Sequence, residues 1–512
     1  MLVISQILEL KTVLNASKSP RKQIGLVPTM GALHQGHVSL IKRAVRECDA
    51  VVVSIFVNPL QFSPNEDLNQ YPRTLETDCK ICEELGVEIV FAPSSAEIGI
   101  TGDTATQVNT TIVIPPESMT SGLCSKYRPG HFTGVATIVT KLFNIIQPDR
   151  AYFGQKDAQQ LAIIRRLVID LNIPVEIVGC SIIREASGLA LSSRNQYLTD
   201  LEKTQATILH RSLQQAAIAY RKGVRDADTL IKTVKNHLAT VPEVKIQYVR
   251  LVEPDTLQPL DTVEKTGLIA IAAYIGNTRL IDNIMLRQPI IAIDGPAGSG
   301  KSTVTRRVAK KLGLLYLDTG AMYRAVTWLV MNSNIAIDNE SAIASLIKGV
   351  KIDLIPRNTP HLPVEVYINQ QEVTQAIRTP EVTNNVSTIA AQATVRKELV
   401  KTQQDYGKQG GIIAEGRDIG TNVFPDAELK IFLTASPQER AKRRLFDLQN
   451  QGYEDIDLKQ LEREIIERDT KDSQRAIAPL KKADDAIEII TDSLSVEEVI
   501  ERIIELYSNI FT

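Results

Sequence analysis

Residues 290–293, Ile-Ile-Ala-Ile, run directly into Asp294-Gly295-Pro296-Ala297-Gly298-Ser299-Gly300-Lys301-Ser302, and Val304, Val308 and Leu312 follow at four-residue spacing. The short apolar run reads as a buried strand and the spacing after it as a helix, so GxxxxGKS occupies a strand-to-helix turn. Such a turn belongs to a parallel sheet covered by helices. Its glycines let backbone N–H groups face inward around phosphate oxygens at a helix N-terminus. On this reading Gly295, Gly298, Ser299, Gly300, Lys301, Ser302 and Thr303 bind the phosphates of ATP. Lys301 is the catalytic cation at the β- and γ-phosphates, and Ser302 offers its hydroxyl to Mg²⁺.

A different phosphate device lies in the first half. Ile24–Val27, Val51–Ile55 and Glu88–Phe91 read as buried strands, with helical spacing at Val38, Leu40, Ile41, Ala44 and Val45 between them. This βαβ rhythm predicts a parallel doubly wound sheet. Between the strand ending at Val27 and the helix beginning near Val38 stands Pro28-Thr29-Met30-Gly31-Ala32-Leu33-His34-Gln35-Gly36-His37. Two imidazoles three apart at a helix start converge on one spot, with Gly36 between them to admit a flat purine. They can donate to phosphate oxygens where charge develops. Downstream, Leu191-Ser192-Ser193-Arg194 supplies two hydroxyls and a guanidinium suited to a departing pyrophosphate. A stretch rich in Thr, Pro, Ser and Gly from Ile98 to Gly130, with one apolar run at Ile112-Val113-Ile114, reads either as a lid or as a surface connection.

The 512 residues are enough for two or more domains. Residues 277–288 contain no Gly/Ser/Pro tract, so the joint between the halves is short and not freely flexible. Lys and Arg total 58 against 60 Asp and Glu, a balance that lacks the long-range attraction of a nucleic-acid binder. The five scattered cysteines favour a reducing compartment. Cys79 and Cys82 form a lone CxxC on an amphipathic helical pattern, which reads as packing because a zinc site needs a second ligand pair. The N-terminus lacks a signal peptide's basic start, and no apolar run reaches the roughly 18 residues of a membrane span. A cytoplasmic protein is expected.

Three further words accompany GxxxxGKS. Asp318-Thr319-Gly320-Ala321-Met322-Tyr323-Arg324, Glu415-Gly416-Arg417-Asp418-Ile419-Gly420-Thr421 and Glu467-Arg468-Asp469-Thr470-Lys471-Asp472-Ser473-Gln474-Arg475 each set arginine beside carboxylate. Over residues 288–512 these words resemble the cytidylate kinase family. The resemblance implies ATP-dependent phosphorylation of CMP and dCMP on a P-loop fold with a β-containing acceptor insertion and a helical lid. Arg324, Arg417 and Arg475 would hold the acceptor phosphate, with Thr319 nearby. Ser387, Arg396 and Asp418 would read the cytosine edge, and Asp472 the ribose. The alternating runs Val350–Leu354 and Val364–Ile368 fit the insertion. Arg440, Arg443 and Arg444, at i, i+3 and i+4 on a helical pattern, form a cationic stripe that reads equally as a lid or as a solvated face.

HxGH is the signature of the nucleotidyl-transferring α/β superfamily that includes class I aminoacyl-tRNA synthetases. Four words narrow it: Phe56-Val57-Asn58-Pro59-Leu60-Gln61-Phe62, Tyr71-Pro72-Arg73-Thr74, Arg128-Pro129-Gly130-His131-Phe132-Thr133-Gly134-Val135, and Phe153-Gly154-Gln155-Lys156-Asp157-Ala158-Gln159-Gln160. Together they resemble the pantothenate synthetase family over residues 1–282, with a Rossmann-like core over about 1–185 and a smaller α+β subdomain over 186–282. The implied reaction joins pantoate to β-alanine through pantoyl adenylate, releasing pyrophosphate and then AMP. His37 would be the catalytic proton donor, with His34 beside it. Met30, Gly31, Gly36, Gly154, Gln155, Lys156, Asp157, Ile183, Leu191, Ser192, Ser193 and Arg194 would line the ATP site, and Gln61 and Gln160 would bind pantoate. Gln155 stands where the family often has Glu, and Leu191 where it often has Met.

The expected whole is a bifunctional α/β enzyme acting on ATP, pantoate, β-alanine and CMP or dCMP. Mg²⁺ would accompany ATP, with no tightly bound organic cofactor, nucleic acid or membrane, and the resemblance implies a homodimer through the first half. The rival readings are a synthetase fragment or another nucleotidyltransferase for the first half. For the second they are a different nucleotide kinase or a P-loop switch.

Overall fold

In the computed structural model the chain divides into two units, Met1–Leu286 and Arg287–Thr512. It describes all residues but 17–21, 63–67, 69–70, 101–109, 357–363, 451–455, 476 and 512, and the side chains at 447 and 511. Among the described residues, no helix is long and apolar enough to cross a membrane.

β-Branched runs become central strands because both faces of a parallel sheet are covered. In the first unit β1 (Leu2–Ile4), β2 (Ile24–Thr29), β3 (Ala50–Ile55), β4 (Ile89–Phe91), β5 (Arg150–Gly154) and β6 (Glu176–Cys180) form one parallel sheet in the order β1-β4-β3-β2-β5-β6. Leu26, Val27, Val52 and Val53 are fully buried at its centre. The order of successive strands reverses between β2 and β5, and ligands of open α/β sheets bind in the crevice beyond the strand ends at such a switch point. HxGH follows β2, and Gln155-Lys156-Asp157 follows β5.

A smaller layer completes this unit. Helices Asp200–Arg221 and Ala227–Leu238 pack on an antiparallel sheet of β7 (Val244–Val252), β8 (Gly267–Ile275) and β9 (Thr278–Leu286). Residues 278–286, read from composition as part of a joint, are therefore a strand, and this unit continues to Leu286.

The Ile98–Gly130 stretch is pinned at points along its length, and its residues 101–109 lie outside the described residues. Ile98 and Ile100 enter the core, and Met119, Leu123 and Cys124 are buried. Ile112 and Ile114 are exposed and belong to no strand, while the Val113 N–H donates to Thr137 Oγ1 at 2.9 Å. Cys82 is fully buried on helix Leu75–Glu84, where burial pushes its thiol up to about 12, and Cys79 packs against the same cluster.

The second unit is built on five parallel strands, β10 (Ile290–Asp294), β11 (Leu315–Asp318), β15 (Ile412–Gly416), β16 (Leu429–Thr434) and β17 (Ile487–Ile490). They lie in the order β11-β15-β10-β16-β17. An antiparallel insertion of β12 (Ile352–Pro356), β13 (Val364–Ile368) and β14 (Gln371–Glu372) carries the alternating runs. Helices Pro437–Asn450 and Leu458–Ser473 follow β16.

One glycine sets how closely a loop approaches the first sheet's covering helix. Gly134 lies in helix His131–Ile146, and a Cβ there would stand 2.3 Å from the Leu60 carbonyl oxygen in the turn Pro59–Gln61. Gly134→Ala should therefore destabilise the first unit by about 1–3 kcal/mol, the range for overpacking. The check is a thermal unfolding curve, and an unchanged midpoint would contradict this packing.

Candidate active sites

The helix after β2 spans Gln35–Glu47, three residues earlier than the apolar spacing indicates, because its N-cap is a histidine rather than Ser, Thr, Asp or Asn. His34 Nδ1 accepts from the Gly36 N–H at 3.1 Å, and His37 Nδ1 accepts from the His34 N–H at 3.3 Å. This is a capping box made of two imidazoles. With both Nδ1 atoms accepting, each ring carries its proton on Nε2, and those N–H groups are the free donors. The ring centroids are 4.2 Å apart. A Cβ at residue 36 would stand 2.7 Å from His34 Cε1, so Gly36 makes room for the cap's own imidazole.

Burial, reinforced by His34 and Lys156, holds His37 down to about 3. Burial and then Lys156 lower His34 as well. Without ligand both rings are neutral at neutral pH, and each carries an Nε2–H that it can donate.

Asp78, which sequence reasoning missed, holds the preceding loop in place. It is 1% exposed, and its carboxylate accepts from the N–H groups of Ala32 (3.0 Å) and Leu33 (2.8 Å) and from Thr74 Oγ1 (3.1 Å). Gly31 turns the loop at a φ of +81°, where a Cβ would approach Asp78 Oδ2 to 3.0 Å.

One cavity gathers the expected residues. Met30, His34, Gly36, His37, Gln61, Gly154, Lys156, Asp157, Gln160, Ile183, Leu191, Ser192, Ser193 and Arg194 all line it. Gly31 and Gln155 shape its walls instead. The Asn283 side-chain amide, reaching from β9, donates to the carbonyls of Gln155 (3.0 Å) and Lys156 (2.9 Å). Neighbouring Asp282 forms a two-pronged pair with Arg184 at 2.7 and 2.9 Å, bracing the Ile183–Arg194 segment. The Gln61 amide is oriented by buried Asn58, whose Nδ2 donates to Gln61 Oε1 at 3.1 Å. His131 Nδ1 meets the Gln61 carbonyl at 2.7 Å. Asp282 and Asn283 carried no motif signal, because they lie 98 and 128 residues from the segments they hold.

In the second unit Gly300 (φ +87°) caps helix Lys301–Leu312, and a Cβ on Gly295 would stand 2.0 Å from the Leu433 carbonyl oxygen. Lys301 Nζ folds back to donate to the Pro296 carbonyl at 2.6 Å. Burial, and then Arg417, push this ammonium well below the ordinary lysine value. A desolvated cation at the mouth of a backbone cradle gains most from an incoming phosphate. Ser302 Oγ donates to Glu415 Oε1 at 2.7 Å, and Tyr316 Oη to the same oxygen at 2.8 Å. Glu415 Oε2 is buried without a partner.

The acceptor words meet around paired charges. Asp472, 2% exposed, accepts from Arg417 Nε at 3.1 Å on one oxygen and from Arg475 on the other. Arg324 pairs with Asp318 at 3.2 Å. Buried Arg396 pairs with buried Asp418, its guanidinium 5.5 Å from the centre of the Tyr323 ring. Thr319 Oγ1 donates to the Glu415 carbonyl at 2.6 Å. Ser387 is half-buried on helix Pro380–Ala391.

The arginine stripe is not a uniform face. Buried Arg440 binds the Ala297 carbonyl of the glycine loop at 3.1 Å and pairs with Asp469. Arg443 donates to Thr491 Oγ1 and to its carbonyl at 3.0 and 2.8 Å. Arg444 is exposed.

Residues 2–285 match the pantoate-beta-alanine ligase family, and residues 291–509 match the cytidylate kinase family. A Trichormus variabilis protein named bifunctional pantoate ligase/cytidylate kinase is 62% identical over 486 residues, covering 94% of this chain and 91% of that protein. A Synechocystis sp. protein of the same name is 60% identical over 491 residues, covering 95% of each. The crystal structure of pantothenate synthetase from Thermus thermophilus is 42% identical, with a TM-score of 0.51, and covers 56% of this chain and 99% of that one.

The capping geometry gives a direct expectation. Gly36→Ala, which displaces the His34 ring, and Asp78→Asn, which removes a charge-assisted acceptor, should each weaken ATP-analogue binding in the first cavity about tenfold or more. Binding to the GxxxxGKS loop, measured by calorimetry on the same protein, should be unchanged. Equal affinity in Gly36→Ala and wild type would contradict the role given to the imidazole cap.

Proposed function

This chain belongs to the bifunctional pantoate ligase/cytidylate kinase family, and from that premise we propose how the residues of each unit carry its reaction. It is an enzyme with two activities, a pantoate–β-alanine ligase and a cytidylate kinase.

The observation that carries the ligase reading is the pair of Nδ1-capped imidazoles on the cavity wall. Their Nε2–H groups donate to the α-phosphate oxygens of ATP, where charge builds as the pantoate carboxylate attacks. The α–β phosphoanhydride bond breaks, and pyrophosphate departs towards Ser192, Ser193 and Arg194, with Lys156 neutralising charge beside the imidazoles. Gln61 and Gln160 hydrogen-bond pantoate with neutral amides. The β-alanine amine then attacks the acyl carbon, AMP leaves, and the nitrogen loses its proton. The substrate's own amine is the nucleophile, so no serine or cysteine is needed.

In the kinase a CMP phosphate oxygen attacks the γ-phosphorus of ATP, and ADP leaves. Catalysis of this kind is positioning plus cationic stabilisation. Lys301 exchanges the Pro296 carbonyl for the phosphates, while Arg324, Arg417 and Arg475 exchange their carboxylate partners for the acceptor phosphate. Arg396 and Asp418, with Ser387, read the base of CMP or dCMP, and Asp472 lies by the ribose. The Ser302 hydroxyl and the unpartnered oxygen of Glu415 are hard oxygen donors that fit Mg²⁺. When bound, that ion neutralises charge on the transferring phosphates.

Separate sites predict a crosswise result. Lys301→Ala should lower CMP phosphorylation about a hundredfold or more while pantothenate formation persists, and His37→Ala should do the reverse. Loss of both activities in either folded variant would overturn the assignment.

The histidine also predicts a stability profile. Its folded value of about 3 lies below the ordinary 6.5, so between these pH values the unfolded chain binds the extra proton. Stability should be unaffected by His37 above pH 6.5 and fall as the pH drops below it, by about 2 kcal/mol at roughly pH 5. In His37→Gln the acid-induced drop in the first unit's unfolding midpoint should shrink. An identical drop in both proteins would contradict a neutral, recessed His37.

A further inference from the structure

Asp294 is the last residue of β10 and precedes the first glycine of the ATP loop. It is 4% exposed, and each of its oxygens accepts from a backbone amide outside that loop. Oδ1 accepts from the Ile419 N–H and Oδ2 from the Gly420 N–H, each at 2.7 Å. These two amides open the helical turn Ile419–Val423, immediately after Asp418. Asp418 holds buried Arg396, whose guanidinium lies beside Tyr323. A Cβ on Gly420 would stand 3.3 Å from Asp294 Oδ2 and 3.2 Å from the Lys430 side chain, so a methyl group there would press on the carboxylate. A single carboxylate thus joins the strand that delivers the ATP loop to the backbone that delivers the base-reading residue.

We propose that Asp294 is a positioning residue for phosphoryl transfer: it fixes the acceptor loop Asp418–Gly420 to the root of the ATP-binding loop. This rests on the reading of Arg396 and Asp418 as the base-recognition pair. Asp294 touches no substrate and acts through the two backbone amides. An asparagine there keeps one acceptor but turns an NH₂ donor against an N–H, breaking one of the two bonds.

The test uses the full chain. In Asp294→Asn, KM for CMP should rise about tenfold or more while KM for ATP stays within about threefold. Amide hydrogen exchange, followed by mass spectrometry on the peptide containing Ile419 and Gly420, should accelerate in the unliganded protein. Gly420→Ala, which pushes the carboxylate away from the other side, should show the same pattern if Asp294→Asn does not fold. An unchanged CMP KM, an equal rise in both KM values, or unaltered exchange at Ile419 and Gly420 would each overturn the proposal. An unchanged CMP KM in Asp418→Asn would instead overturn the base-recognition reading on which it rests.

Discussion

A buried carboxylate that accepts two consecutive backbone N–H groups is the interaction on which both sites depend. Asp78 takes the amides of Ala32 and Leu33 and so sets the approach to His34. Asp294 takes those of Ile419 and Gly420, one residue past Asp418. A loop that presents chemistry cannot rely on a ladder of secondary-structure bonds, and orphaned buried amides are costly. Each charge-assisted bond contributes about 1.5–3 kcal/mol, enough to fix a short loop against its conformational entropy.

The two sites use opposite electrostatic preparations. The ligase cavity keeps its imidazoles neutral, so they are ready as directional donors without repelling Lys156. The kinase holds its arginines on carboxylates, with Arg417 and Arg475 sharing Asp472 and Arg324 held by Asp318. Buried pairs of this kind repay their desolvation only with good geometry, and they keep long side chains ordered before an anion arrives. The Lys301 ammonium, held by neutral oxygens of its own loop, carries an unmet demand for negative charge.

Much of this was legible in the sequence. The β-branched runs, GxxxxGKS and HxGH pointed to parallel sheets and phosphate turns, because strand periodicity and glycine turns are local properties. The residues lining the first cavity were also readable from their words. What was not legible depends on distant contacts. The helix began at Gln35 because an imidazole capped it, against the usual preference for short polar caps. Gly36 also makes room for the capping ring of His34, which only the ring's position reveals. Residues 278–286 looked like a joint until pairing with β8 made them a strand. Arg440 and Arg443 had the spacing of a solvated stripe, yet they turn inward to Ala297, Asp469 and Thr491. Asp78, Asn283 and Asp294 belong to no word for the loops they hold, since their partners are 45 to 128 residues away.

The most direct test of the whole account is a crystal structure of the full chain with a non-hydrolysable ATP analogue. Two nucleotides per chain should appear, one with its α-phosphate within hydrogen-bond distance of the Nε2 atoms of His34 and His37, the other with its outer phosphates on Lys301. A nucleotide in the first cavity whose α-phosphate lies away from both imidazoles would contradict it.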